Sequence, residues 1–130
     1  MIKKKNNENL STQFKDKIIV VTGSTQGSGA ETARLLAKRG AKGITICGRN
    51  EKKGNQVKKE IEKIGTECIY VKADLENLKD CKKIISQTDK KFGTINSLIN
   101  SAAFTERGTI LSTTQKNYEK MFNINTRAPF

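Results

Sequence analysis

The sequence predicts an α/β fold: a parallel sheet wound on both faces by crossover helices. Three observations carry this. Four short apolar runs, rich in β-branched residues, recur along the 130 residues, and segments of helical apolar spacing separate them. The runs are continuous rather than alternating, as in strands buried on both faces. The connections are short, and such strand–helix alternation builds right-handed crossovers and hence a parallel sheet.

The first run is 17–22, KIIVVT. Gly23, Gly27 and Gly29 follow it, and residues 28–39 then set Ala30, Ala33, Leu36 and Ala37 on one helical face, with Gly40 at the C-cap position. A second strand is predicted over 44–47. Asn50 is placed to cap a helix whose inward face is Val57, Ile61 and Ile64, closed by Gly65. Residues 68–73 form the third strand. Residues 78–91 put Cys81, Ile84, Ile85 and Thr88 on one face and end at Phe92 and Gly93. The fourth strand is predicted over 97–102, and 115–128 reads as helix. The pattern is that of an incomplete, Rossmann-like doubly wound parallel sheet, four strands with their crossover helices.

Composition bounds the function. The length allows one domain with one core. The longest apolar run is far below the roughly 20 residues a bilayer span needs, and the basic start has no hydrophobic core behind it, so no secretory signal is read. Three cysteines without CxxC spacing give neither a disulfide framework nor a zinc site and read as buried, reduced thiols of a cytoplasmic protein. Histidine is absent, which removes Ser–His and Cys–His pairs and histidine metal ligands; no metal site is predicted. The formal charge of +12 comes from lysines spread over helix faces, with aromatics at only 5% and not interleaved. That is a solvated surface and not a nucleic-acid platform.

The glycines have a physical purpose. In an open parallel sheet, ligands sit beyond the carboxyl ends of the strands, and the first strand–helix turn is a phosphate site. A pyrophosphate there must reach backbone N–H groups at the helix start, where the dipole favours negative charge. A Cβ on the turn holds it away, and a tight turn needs positive φ. Gly23 and Gly27 suit the turn and the close approach, while Gly29 lets the helix pack close to the strands. The spacing is TGxxxGxG rather than GxGxxG, and TGSTQGSG resembles the short-chain dehydrogenase/reductase family. The resemblance covers residues 14–130, in the amino-terminal half of the family's pattern only. Residues 1–13 read as a flexible basic tail, and 14–130 as the amino-terminal part of a dinucleotide-binding Rossmann domain.

The resemblance implies cofactor contacts from Gly23, Ser24, Gln26, Gly27, Ser28 and Gly29 in the turn. Ser28 stands where the family prefers a branched apolar residue. Asp74 and Leu75, in KADL, match the family's acidic position that meets adenine. The family's NNAG reads NSAA here: Asn100 and Ala102 match and lie along the cofactor, whereas Ser101 and Ala103 depart. FGTINSLIN has Asn96 where the family has Asp, and NINTRAPF places the catalytic asparagine at Asn125.

The end of the second strand separates the two dinucleotides. An acidic side chain there binds both ribose hydroxyls and repels a 2′-phosphate. Gly48 occupies that position and Arg49 follows, a guanidinium able to grip phosphate in a bidentate manner. Ser24 is expected to add a hydroxyl, and Glu51 is a competing partner for Arg49. The reading favours NADP(H) over NAD(H).

Family members interconvert an alcohol and a ketone or aldehyde by hydride transfer, using a tyrosine and lysine in YxxxK and an upstream serine. Neither Tyr70 nor Tyr118 has a lysine four residues on. The chain is therefore expected to be the cofactor-binding part of a longer oxidoreductase and inactive alone; a stand-alone dinucleotide-binding or regulatory module is the alternative. The resemblance also implies a small-molecule substrate and a homo-oligomer for the complete protein.

Overall fold

The computed structural model describes residues 10–130. Four strands, β1 (Ile18–Thr22), β2 (Gly43–Gly48), β3 (Glu67–Lys72) and β4 (Ser97–Asn100), pair in parallel in the order β3-β2-β1-β4. Between them run α1 (Gly27–Lys38), α2 (Glu51–Ile64) and α3 (Leu78–Phe92). After β4, a long loop leads to α4 (Gln115–Phe122), which continues into a π-helix, Asn123–Arg127. The Rossmann-like parallel sheet with crossover helices is the fold observed, and its sheet is incomplete.

All five residues of β1 are buried, and successive side chains serve opposite faces. Ile19 and Val21 join Ile44 and Ile46 under α1 and α2, where Ala30, Ala33, Leu36, Val57 and Ile61 complete one core. Val20 and Cys47 face the other way and pack with Val71, Ala73 and Ile84 under α3. Asn50 caps α2 by accepting from the Lys53 N–H at 3.0 Å, as expected, and Gly65 closes that helix. Asn77 and Gly93 do the same for α3.

Several expectations are adjusted. The tail predicted over 1–13 falls mostly outside the described residues, but Leu10–Thr12 form a 3-10 turn with exposed side chains. The inward face of α2 is Gly54, Val57 and Ile61; Ile64 is exposed, and Gly54 faces the Tyr70 ring so closely that a Cβ would lie 2.2 Å from Cε2. Ile85 on α3 is exposed too, beside Leu98 of β4, and both line a groove of about 940 Å³. Strand β4 stops at Asn100 because the next two N–H groups, of Ser101 and Ala102, turn to the Thr22 hydroxyl. The helix expected over 115–128 is split by the π-helix.

All three thiols are free, with Cys47 and Cys68 buried and Cys81 half-buried. Burial pushes the Cys47 thiol up to about 11 and the Cys68 thiol up to about 12, so both stay protonated and unreactive at neutral pH. Among the described residues no helix is long and apolar enough to cross a membrane.

Candidate functional site

From β1 the chain adds β2 and β3 on one side and β4 on the other. The crevice of such a sheet opens at the carboxyl ends of the two strands where the order reverses. Here those are β1 and β4, and their ends are tied. Thr22 Oγ1 accepts from Ser101 N at 3.2 Å and from Ala102 N at 3.3 Å. At the start of the strands, Asn96 Oδ1 accepts from Ile18 N at 2.7 Å, so the amide at the family's Asp position still supplies an oxygen for register.

Gly23 has φ +62°, and a Cβ there would stand 2.7 Å from Ala102 Cα. The glycine turn and the NSAA segment thus approach to a distance only hydrogen allows. Gly27, at φ +59°, has nothing within 4 Å: its position requires the conformation and opens on free space. At Gly29 a Cβ would sit 2.4 Å from the Gly23 carbonyl oxygen, so α1 begins in contact with the turn itself. Asn50, Asn77 and Thr114 cap α2, α3 and α4, whereas Gln26, the N-cap residue of α1, makes no side-chain cap. The first N–H groups of α1, around Ser28 and Gly29, therefore offer an uncapped positive dipole end to an anion.

Ser24 requires a correction. Its side chain is fully buried; Oγ donates to Val21 O at 2.6 Å and accepts from Cys47 N at 3.0 Å. With its own N–H donating to Cys47 O at 3.1 Å, the residue clamps the glycine turn onto β2 and has no hydroxyl free for a phosphate. Ser24→Ala leaves the Cys47 N–H without that acceptor, and a buried orphan donor costs about 1–3 kcal/mol. Urea unfolding is expected to show that loss; an unchanged midpoint would remove the clamp from the account.

At the end of β2, Tyr70 donates its hydroxyl to Gly48 O at 2.8 Å, and Thr25 covers Gly48. A Cβ on Gly48 would lie 2.7 Å from Thr25 Cγ2 and 2.9 Å from Oγ1. Arg49 is exposed. Its expected competitor, Glu51, turns to Lys72 at 3.4 Å, and among the described residues Arg49 has no carboxylate partner. Lys53 reaches from α2 to Gln26 Oε1 at 2.5 Å.

At the end of β3, Asp74 Oδ1 accepts from Glu76 N at 3.0 Å, and the Asp74 N–H donates to Asp80 Oδ2 at 2.8 Å. That N–H, and then the Lys83 ammonium, hold the Asp80 carboxyl below the usual range. Leu75 packs against the Val20, Cys47 and Val71 core under α3.

Asn125 lies in the π-helix, whose i−5 bond runs from Ala128 N to Asn123 O at 2.9 Å. Such turns within helices cluster at functional sites. Its carboxamide clasps one residue: Oδ1 accepts from Phe104 N at 2.9 Å and Nδ2 donates to Phe104 O at 2.8 Å. Arg127, two positions on, donates from Nη2 to Glu76 O at 2.5 Å, tying the π-helix to the loop that follows Asp74. Thr22 and Thr25 lie in TGSTQGSG and Arg127 in NINTRAPF, but the contacts these three make here, like those of Lys53 and Tyr70, are long-range and carry no signal in the sequence.

A parallel sheet whose glycine turn opens on an uncapped helix at the strand-order reversal defines a Rossmann-type nucleotide-binding domain. The family model described as short chain dehydrogenase matches residues 17–130. The chain belongs to that family. It is 32% identical over 117 residues to the uncharacterised oxidoreductase YxnA of Bacillus subtilis (strain 168), covering 90% of this chain and 33% of that protein. Among solved structures, a short chain dehydrogenase from Burkholderia cenocepacia J2315 in complex with NADP superposes with a TM-score of 0.84 at 27% identity, covering 88% of this chain and 47% of that one. An NADH-dependent reductase, A1-R′, complexed with NAD gives 0.82 at 25% identity, covering 92% and 50%. The chain spans 33% and 45% of the lengths of its first two curated relatives.

Proposed function

We propose that this chain forms the cofactor-binding part of an NADP(H)-dependent oxidoreductase that interconverts an alcohol and a ketone or aldehyde on a small-molecule substrate. The observation that carries the cofactor preference is Arg49 without a carboxylate partner, directly after a Gly48 that offers no acid to the ribose. A free guanidinium attracts a 2′-phosphate, and the missing acid removes the group that would repel it.

The residues fit the dinucleotide. Gly23 and Gly27 leave bare backbone where a Cβ would intrude, and the uncapped start of α1 receives the pyrophosphate through N–H groups near Ser28 and Gly29. Asp74 and Leu75 flank the adenine, and Asn100 and Ala102 lie along the cofactor toward the reacting end. Asn125 holds the loop after β4 by both ends of its carboxamide and is the catalytic-side residue of this part of the site. When bound, the nicotinamide supplies or accepts the hydride.

The chain is expected to bind NADPH at least about tenfold more tightly than NADH, in line with a charge-assisted contact that one partner lacks. Arg49→Met is expected to reduce that difference and leave NADH affinity unchanged. Fluorescence titration with the two reduced dinucleotides reads both. Equal affinities in the unmodified chain would overturn the preference.

A further inference from the structure

We infer that Lys53, held by Gln26, is a second cation of the 2′-phosphate corner and a specificity-determining residue of this chain; the inference rests on the NADP(H) reading above. Lys53 lies in the first turn of α2, where its N–H donates to Asn50 Oδ1 at 3.0 Å. Arg49 directly precedes Asn50, so the guanidinium and the ammonium leave the backbone on either side of one capping residue. The Lys53 side chain is exposed but has a partner. It crosses to the glycine turn, and Nζ donates to Gln26 Oε1 at 2.5 Å.

The partner's chemistry is what matters. An ammonium has three donors, and the Gln26 carboxamide takes one of them without neutralising the charge. No carboxylate pairs with Lys53 among the described residues, and Glu51, in the same helical turn, is directed to Lys72. A positioned ammonium with donors to spare, on the first turn of the helix whose cap Arg49 directly precedes, suits a phosphate monoester dianion. Arg49 grips in a fork and Lys53 adds a point charge from the side of the glycine turn. Gln26 thus acts by positioning. As an exposed loop residue it holds the lysine over the turn that the same nucleotide's pyrophosphate occupies.

Isothermal titration of the chain with adenosine 2′,5′-bisphosphate and with 5′-AMP tests this. Lys53→Met is expected to weaken the bisphosphate about tenfold, the scale of one charge-assisted hydrogen bond, and to leave 5′-AMP within about twofold. Lys53→Arg is expected to retain most of the bisphosphate affinity, which separates lost charge from disturbed folding. An equal loss for both nucleotides, or no loss, overturns the assignment of Lys53 while leaving the cofactor reading intact. If the unmodified chain does not distinguish the bisphosphate from 5′-AMP, the NADP(H) reading itself falls.

Discussion

Gly23→Ala is expected to destabilise the chain by about 3 kcal/mol, the sum of a left-handed backbone forced on alanine and a core-like overlap. The overlap is with main chain: a Cβ at 2.7 Å from Ala102 Cα and 2.9 Å from Ala102 N has no flexible neighbour to displace, so the ends of β1 and β4 must separate. The Thr22 bonds to Ser101 and Ala102 stretch with them, and nucleotide binding is lost together with stability. Gly27→Ala provides the contrast. Its φ of +59° imposes the same kind of backbone strain, but nothing lies within 4 Å. Stability is expected to fall by only about 1 kcal/mol, while binding is expected to be lost because the new methyl stands in the open space proposed for the pyrophosphate. Urea unfolding and nucleotide titration on the two variants, side by side, check this. Equal stability losses would mean that the approach of Gly23 to Ala102 does not constrain the fold.

The second large effect concerns Gly48. Placing an acid there is the obvious way to turn the proposed NADP(H) preference toward NAD(H), and Gly48→Asp is expected to fail by itself. Its Cβ meets Thr25 Cγ2 at 2.7 Å and Oγ1 at 2.9 Å, whereas Thr25 Cβ is 3.4 Å away, within ordinary contact. Thr25→Ala removes the two offending atoms and keeps the third. Gly48→Asp is expected to weaken NADPH by at least about 100-fold, since like charges about 4 Å apart near a surface repel by about 4 kcal/mol. A gain in NADH affinity is expected only when Thr25→Ala accompanies it. The double-mutant cycle isolates that coupling. If Gly48→Asp alone binds NADH as well as the double variant does, Thr25 does not guard this position.

Most of the fold was legible in the sequence because it rests on local signals. Continuous apolar runs marked β1, β2 and β3, and Asn50, Gly65 and Gly93 marked helix ends that proved correct within a residue or two. Errors arose where a neighbour decides. Helical spacing puts Ile64 and Ile85 on inward faces, but how far a face is covered depends on what packs opposite, and these two lie beyond that cover. The turn glycines were legible because a positive φ calls for one residue type, and Gly23 and Gly27 both adopt it. Ser24 was misread because a serine in a turn looks the same whether its hydroxyl points out or in; only the Cys47 N–H, 23 positions away, decides. Lys53 was invisible for the same reason: its partner Gln26 lies 27 positions away.

The bond from Ile18 to Asn96 joins residues 78 positions apart, and through it β4 docks on the strand that began the sheet. Closing so long a loop comes late in folding, because its entropy is lost before the contacts form. The proposed nucleotide pocket lies across that same seam, so it exists only in molecules where β4 has docked. A ligand held there binds the docked form alone and shifts the equilibrium toward it. At a hundred times its dissociation constant it adds about 2.7 kcal/mol to the stability of the seam. On the proposed reading, cofactor supply then governs the fraction of chains in which β1 and β4 are joined.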